Sequence, residues 1–352
     1  MALLTFQNVT ISALAAAVPK RVFNNLTDNP FFSQEDVTAI VEKTGVYQRR
    51  IVADGVCASD LCYHATKELL SRACIDPTEI DAMIFVSQTP DYRMPATSII
   101  LQHRLGLPKS CAAFDVNLGC SGFVVGLSMA YSLATNPSIN KVLLLNGETR
   151  SKVYSIKDRR TAFLFGDAGS ACLIEKRAGA PQSIFSICSD GEKSDYIKVN
   201  AGGYRVPSSC ETVKERVYDD GSIRTEEQGY MDGYGVFEFV ITEVPKQIKS
   251  LFSSAQLSKD MIDYYVFHQA NRFMNDHLTR KLKLDNDIVP QCLDRYGNTS
   301  SVSIPLTMVS ELKDDLNGSS KRILLSGFGV GLSLGSAIIE LDNAMVCDLV
   351  EI

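Results

Sequence analysis

The chain has no tryptophan, only four histidines and no Cys-x-x-Cys pair in 352 residues. Its ten cysteines are scattered from Cys57 to Cys347 without metal-ligand spacing to any histidine, which excludes a zinc module and a disulfide-stapled mini-protein. Scattered cysteines in a chain of this length imply a reducing, cytoplasmic compartment. No window reaches the roughly 18 uninterrupted apolar residues of a membrane span. The opening stretch MALLTFQNVTISALAAAVPKR lacks a basic head and is broken by Asn8, Thr10 and Ser12, so strand is expected there, not a signal peptide. Positive charge is also scarce: 35 Lys and Arg stand against 41 Asp and Glu, a net charge of −6. A phosphate-binding groove for nucleic acid needs clustered cations and is not expected.

What is present is an ordinary globular composition, 45% hydrophobic and 22% charged. At about 150 residues per domain, the length suggests two domains or one duplicated unit. The sequence favours duplication. Ile80-Asp81-Ala-Met-Ile-Phe85 echoes Ile262-Asp263-Tyr-Tyr-Val-Phe267, each a buried strand. Amphipathic helices are expected before them, over Ser59 to Ala73 and over Val236 to Leu251, where Pro245 interrupts the pattern. The small-residue turn Asn117-Leu-Gly-Cys120-Ser-Gly122 opens a helix to about Leu133, followed by a strand at Lys141. Tyr296-Gly-Asn298-Thr-Ser-Ser opens another to about Leu316, followed by a strand at Lys321. Phe165 to Glu175 resembles Phe328 to Glu340. The two strand pairs and the turn pair of Cys120 and Asn298 are offset by between 178 and 182 residues. Two α/β halves, 1–178 and 179–352, follow from that register. The first half carries an extra segment, Thr149 to Ala162, with Lys152, Arg159 and Arg160. The second begins with a polar, Gly-rich stretch of about 189–234, whose aromatic content favours an ordered cap over a linker.

The chemistry is expected at the turns. Cys120 lies between the strand Ala113 to Val116 and an apolar helix, where unsatisfied N–H groups favour the thiolate. Lowering a thiol pKa from ~8.5 to ~7 raises the thiolate at neutral pH from a few per cent to about half. Taken alone, Cys120 reads as a core residue, as free cysteines commonly are. Asn298, at the equivalent turn, reads equally as a helix cap. His268 ends the strand Tyr264 to Phe267, the end at which α/β sheets place their ligands, although a satisfied core histidine fits too. Pseudo-symmetry tips the balance, because it converges Cys120, His268 and Asn298 on one central site suited to acyl transfer through a thioester. The turn Gly327-Phe328-Gly329-Val330-Gly331 supplies N–H groups for an oxyanion hole, together with that of Cys120. It lacks the lysine and helix of a phosphate cradle, so nucleotide cofactors are discounted.

Five motifs together resemble β-ketoacyl-[acyl-carrier-protein] synthase III of the thiolase-like superfamily: Asp115-Val-Asn-Leu-Gly-Cys120-Ser-Gly-Phe, Phe165-Gly-Asp167-Ala-Gly-Ser, His268-Gln-Ala-Asn271, Tyr296-Gly-Asn298-Thr-Ser-Ser-Val-Ser-Ile-Pro and Gly327-Phe-Gly-Val-Gly. The resemblance covers essentially the whole chain. It implies a duplicated five-layered α-β-α-β-α fold, a homodimer, and no metal or other cofactor, with acyl-CoA and malonyl-acyl carrier protein as substrates. Cys120 would take the acyl group, and decarboxylative condensation would follow. His268 and Asn298 would hold the malonyl thioester oxygen, and the N–H groups of Cys120 and Val330 the acyl oxyanion. Phe328 would pack beside them, and Met94 would cross the dimer interface into the partner's acyl pocket. Lys43, Thr44, Arg159, Gly233 and Phe237 would line the substrate entrance, and Arg272, Arg280 and Lys281 would meet the carrier protein.

The departures concern substrate choice. Housekeeping members carry a Trp and an Arg that sandwich the CoA adenine where this chain has Ala39 and Lys43, a loss of about 1 kcal/mol of cation–aromatic contact. Glu238 follows Phe237 where a Lys is common, and the helix arginine after the His268 motif is displaced to Arg272. A different carrier and drift on a solvated face explain this equally well. A specialised paralogue serving a polysaccharide or secondary-metabolite pathway and primary fatty-acid initiation both remain open. So does a non-decarboxylating acyl transfer to an alcohol or amine. A Cys-His-Asn hydrolase of the papain type uses the same residue types, but the duplicated architecture disfavours it.

Overall fold

The computed structural model describes residues 2–352. Two sheets carry the fold. In the first the strand order is Met345–Val346, Val9–Val18, Asp167–Lys176, Lys141–Thr149, Ala82–Val86 and Ala112–Val116, and Val350–Glu351 also pairs with Val9–Val18. In the second it is Ala2–Phe6, Ser183–Ser189, Ser333–Asp342, Ser320–Gly329 and Tyr264–Phe267. The internal repeat reappears as strand pairing. Ala82–Val86 runs parallel to Lys141–Thr149, which is antiparallel to Asp167–Lys176, itself antiparallel to Val9–Val18. Tyr264–Phe267, Ser320–Gly329, Ser333–Asp342 and Ser183–Ser189 repeat that parallel, antiparallel, antiparallel series. The chain ends are exchanged between the sheets. Ala2–Phe6 pairs with Ser183–Ser189, and Met345–Val346 pairs with Val9–Val18.

Helices Gly122–Ala134 and Ser303–Glu311 each pack on both sheets and form the middle layer. This is why the first of them is apolar all round: Phe123, Leu127 and Tyr131 are all buried in the central core with Leu144, Val266 and Ile339. Helix Ala58–Ala73 covers the outer face of the first sheet, and helix Gly233–Ala255 that of the second, with Arg272–Leu282 packed beside it. The result is five layers. Strands buried on both faces, such as Ala82–Val86, read as unbroken apolar runs for the same reason.

Two helix expectations need correction. The helix over 233–255 is not interrupted at Pro245 but runs through it. Proline lacks the N–H that would bond the Ile241 carbonyl one turn back; Lys281 Nζ donates to that oxygen instead, at 2.6 Å. The helix expected from the Asn298 turn to Leu316 is shorter and broken. A 3-10 turn, Ser300–Val302, precedes Ser303–Glu311, and Leu312 leaves helical geometry before a last turn, Lys313–Leu316.

The stretch 189–234 is an ordered cap. Ile197–Val199 pairs with Gly229–Met231, and Arg216–Val217 with Ile223–Arg224. It is tied to the inserted segment by a buried ion pair, Arg224 to Asp158 at 3.2 Å, and by the Ser155 hydroxyl donating to the Ile223 carbonyl at 2.7 Å.

Candidate active site

Cys120, His268 and Asn298, drawn from three separate loops, line one cavity with Phe328, Gly329 and Val330. They are 6%, 1% and 6% exposed. Cys120 stands two residues ahead of the helix Gly122–Ala134. His268 follows the strand Tyr264–Phe267 and its N–H donates to the Ser326 carbonyl at 2.8 Å. Its ring is fixed from behind. Nδ1 lies 2.7 Å from the Ser303 hydroxyl, which donates to the Ser300 carbonyl at 2.9 Å. The hydrogen bond between Nδ1 and Ser303 holds the ring and leaves Nε2 for the cavity. Phe328 meets the imidazole edge-on, centroids 5.5 Å apart.

Asn298 does not cap a helix directly. Its Oδ1 accepts from the Ser300 N–H at 2.9 Å, and Nδ2 is 3.4 Å from the Ala270 carbonyl, leaving amide donor capacity toward the cavity. Gly329 shows how close the glycine turn approaches: its φ is +154°, and a Cβ there would lie 2.8 Å from Cys120 Sγ. Among the described residues neither the Cys120 nor the Val330 N–H donates to a protein acceptor. An unused N–H pair beside a nucleophile is the composition of an oxyanion hole.

Burial alone would push the Cys120 thiol up. The charge and hydrogen bond of His268, followed by Arg150 and the Ser300 hydroxyl, outweigh it and hold the pKa at about 6. The lowering thus comes mainly from His268, where the sequence pointed to the helix end. Other buried cysteines go the opposite way: burial pushes Cys111 and Cys347 up to about 11 and Cys292 to about 12. All ten are free thiols.

Two buried ionisable groups at the site escaped the sequence reading. Arg150 lines the Cys120 cavity, and Glu148 sits behind it, 3.9 Å from Arg150 and 3.4 Å from the Ser300 hydroxyl. Burial pushes the Glu148 carboxyl up to about 7, against the opposing pull of Arg150. Their signal was visible: Lys141–Thr149 is an apolar strand whose end turns polar, the same pattern that singled out His268. Ile197 and Met231, from the cap, close the cavity.

A cleft of about 620 Å³ gathers Lys43, Thr44, Arg159, Gly233 and Phe237. Leu164, Met231, Asn271 and Met274 line both it and the Cys120 cavity, so the two adjoin. Arg159 is held within it by a bidentate pair with Asp36, at 2.6 and 3.1 Å, rather than standing free. Arg272 packs on Gly45 and over the Tyr47 ring at 5.8 Å, and Arg280 is exposed at the far end of the same helix. Lys281, expected to face a carrier protein, spends its ammonium on the Ile241 carbonyl. Met94 lies outside the cavity and is 80% exposed.

Duplicated sheets around a shared helical layer, with a cysteine, a histidine and an asparagine at the centre, define the thiolase-like class. Family models for 3-oxoacyl-[acyl-carrier-protein] synthase III match residues 114–191, and those for its C-terminal region residues 252–341. The chain is 32% identical over 335 residues to a β-ketoacyl-[acyl-carrier-protein] synthase III of Fusobacterium nucleatum, covering 95% of this chain and 99% of that protein. It is 34% identical over 334 residues to one of Streptococcus mutans, covering 94% and 98%. A crystal structure of a 3-oxoacyl-(acyl-carrier protein) synthase from Burkholderia xenovorans LB400 superimposes with a TM-score of 0.93 at 36% identity, covering 100% of this chain and 99% of that one. The chain belongs to the β-ketoacyl-[acyl-carrier-protein] synthase III family.

Proposed function

We propose that the protein loads an acyl group from acyl-CoA onto Cys120 and condenses it with malonyl-acyl carrier protein, releasing CO2 and a 3-oxoacyl-acyl carrier protein. The observation that carries this reading is a thiol held at about 6 in a buried cavity shared with His268 and Asn298, at the foot of a cleft open to a pantetheine arm. In the first half-reaction the Cys120 thiolate adds to the thioester carbonyl, the oxyanion rests on the Cys120 and Val330 N–H groups, and CoA thiolate leaves. In the second, the malonyl thioester oxygen accepts from His268 Nε2–H and Asn298 Nδ2–H. Loss of CO2 places negative charge on that oxygen, and the carbanion attacks the acyl carbon. Collapse of the adduct returns the Cys120 thiolate, so charge balances without a metal or a redox group.

Lys43, Thr44, Arg159, Gly233 and Phe237 receive the CoA or pantetheine chain. Arg272 and Arg280 meet the acidic carrier, with Lys281 contributing less because of its bond to Ile241. A homodimer is favoured by the strand Ala112–Val116, which pairs on one edge only, and by the exposed apolar side chains of Tyr92, Met94 and Ile99 nearby in the chain. Among the described residues no helix is long and apolar enough to cross a membrane. Ten free thiols fit a cytoplasmic setting, and the duplicated halves are 1–178 and 179–352 with their terminal strands exchanged between the sheets.

Intact-mass analysis after incubation with acyl-CoA tests the first half-reaction. An adduct on Cys120, absent from Cys120→Ala, is expected; an adduct that persists in that variant rejects the assignment. One observation favours a second reading, acyl transfer to an alcohol or amine. Glu148, with its raised pKa and its link through Ser300 toward Cys120, has the character of a general base. Turnover without CO2 would select it.

A further inference from the structure

The wall of the Cys120 cavity is not uniformly apolar. Arg150 lines it beside Tyr154 and Phe165, with its side chain 5% exposed. Nη1 donates to Gln88 Oε1 at 3.2 Å and Nη2 to the Tyr154 hydroxyl at 3.0 Å. Glu148 stands 3.9 Å away, beyond hydrogen-bond reach, and its oxygens also take Thr89, Ser300, Ser301 and the Gln88 N–H. A guanidinium has five N–H donors. Two are used here, and the buried Nε has no partner. A buried cation with so little compensation is costly unless another anion completes it. In the free enzyme the Cys120 thiolate supplies part of that charge beside Glu148, since the fields of both act on Arg150. Acylation removes it: the new C–S bond forms as the bond to the CoA sulfur breaks, and the negative charge leaves with CoA. In the acyl-enzyme Arg150 keeps only Glu148, at 3.9 Å and outside hydrogen-bond reach, and has lost the charge of the thiolate, which a carboxylate on the acyl group would replace.

A second observation points the same way. Arg150, Tyr154 and Phe165 also line a cavity of about 280 Å³, so the two rings, stacked 4.0 Å apart within 4° of parallel, form a partition with Arg150 between the chambers. The second chamber is lined by Arg21, Arg49 and Lys152 against a single carboxylate, Asp54. Arg49, also buried, keeps Nη2 without a partner. The space against Cys120 has a volume of only about 40 Å³, room for a few heavy atoms.

Resting on the acyl-transfer role of Cys120, we propose that the acyl group this enzyme accepts is short and ends in a carboxylate, which pairs with Arg150 at the wall of the pocket. The acyl donor is then the mono-thioester of a small dicarboxylic acid, not a fatty or branched acyl chain. A planar guanidinium with free N–H groups recognises a carboxylate by geometry as well as charge.

The full-length protein is incubated with succinyl-, pentanoyl- and propionyl-CoA, and with the same acyl groups on a holo acyl carrier protein, and the rate of Cys120 acylation is read by intact mass. Succinyl is expected to label on the order of 10²-fold faster than pentanoyl, a neutral chain with one heavy atom fewer. The succinyl-to-pentanoyl ratio is expected to fall to about one or below in Arg150→Leu and to an intermediate value in Arg150→Lys. Pentanoyl labelling the wild type as fast as succinyl overturns the proposal while leaving the acyl-transfer reading standing, and needs no variant to fold. Failure of every donor to label Cys120 overturns both.

Discussion

The charges around Cys120 set its reactivity across the pH range. With a pKa of about 6, some 90% of Cys120 is thiolate at pH 7, against about 1% for a thiol at the ordinary value of 9.0. Iodoacetamide should therefore alkylate Cys120 with a midpoint near pH 6, read from the Cys120 peptide by mass spectrometry over a pH series. His268 is the strongest of the groups that lower this pKa, and burial opposes it. Replacing His268 with Ala removes the lowering while the site stays enclosed, so the midpoint moves upward by two units or more. At pH 6.5 the alkylation rate of that variant should fall by more than about tenfold. Arg150→Leu should shift the midpoint in the same direction by less. A wild-type midpoint above pH 8, or an unchanged midpoint in His268→Ala, would refute the charge arrangement described for this site.

Other expectations follow from single contacts. Gly329→Ala drives a methyl into Cys120 Sγ and Cβ, at 2.8 and 2.7 Å, and should abolish acylation while the far-ultraviolet dichroism stays native. Glu148 has a folded pKa raised to about 7 by burial, above its ordinary 4.5. Between those values the unfolded chain has released a proton that the folded chain keeps, so stability falls as pH rises, by at most about 3 kcal/mol. Glu148→Gln should flatten that slope in urea titrations at pH 4.5, 6 and 8; an unchanged slope would place the coupling elsewhere. Lys281→Met should cost about 1 kcal/mol by orphaning the Ile241 carbonyl, and Pro245→Ala in the same chain should recover it by restoring the helical N–H. Equal loss in the double variant would show that Lys281 matters for another reason.

Cys120 and His268 were legible because each follows a strand, and Asn298 because its small-residue turn repeats the one that holds Cys120. Arg150 and Glu148 carried the same local mark, at the polar end of Lys141–Thr149. Their meaning depends on burial and on Ser300 and Tyr154, which only the folded chain supplies. The passage of a helix through Pro245 depends on Lys281, on a neighbouring helix, and no pattern within 233–255 reveals it. The exchange of chain ends was also hidden. Ala2–Phe6 and Val9–Val18 both read as strands, but the sheet each joins is decided by pairing with Ser183–Ser189 or Asp167–Lys176. The carrier surface was the least legible part, since Lys281 is exposed yet already engaged.

One thiol both accepts an acyl group and yields it to a carbanion made by decarboxylation. The direct measurement isolates the acylated protein, adds malonyl-acyl carrier protein labelled at the free carboxyl, and follows the Cys120 adduct and labelled CO2 together. The adduct is expected to disappear with one CO2 released per 3-oxoacyl product, and His268→Ala and Asn298→Ala to slow this step far more than acylation. Discharge of the adduct without labelled CO2, or equal loss in both half-reactions, would contradict it.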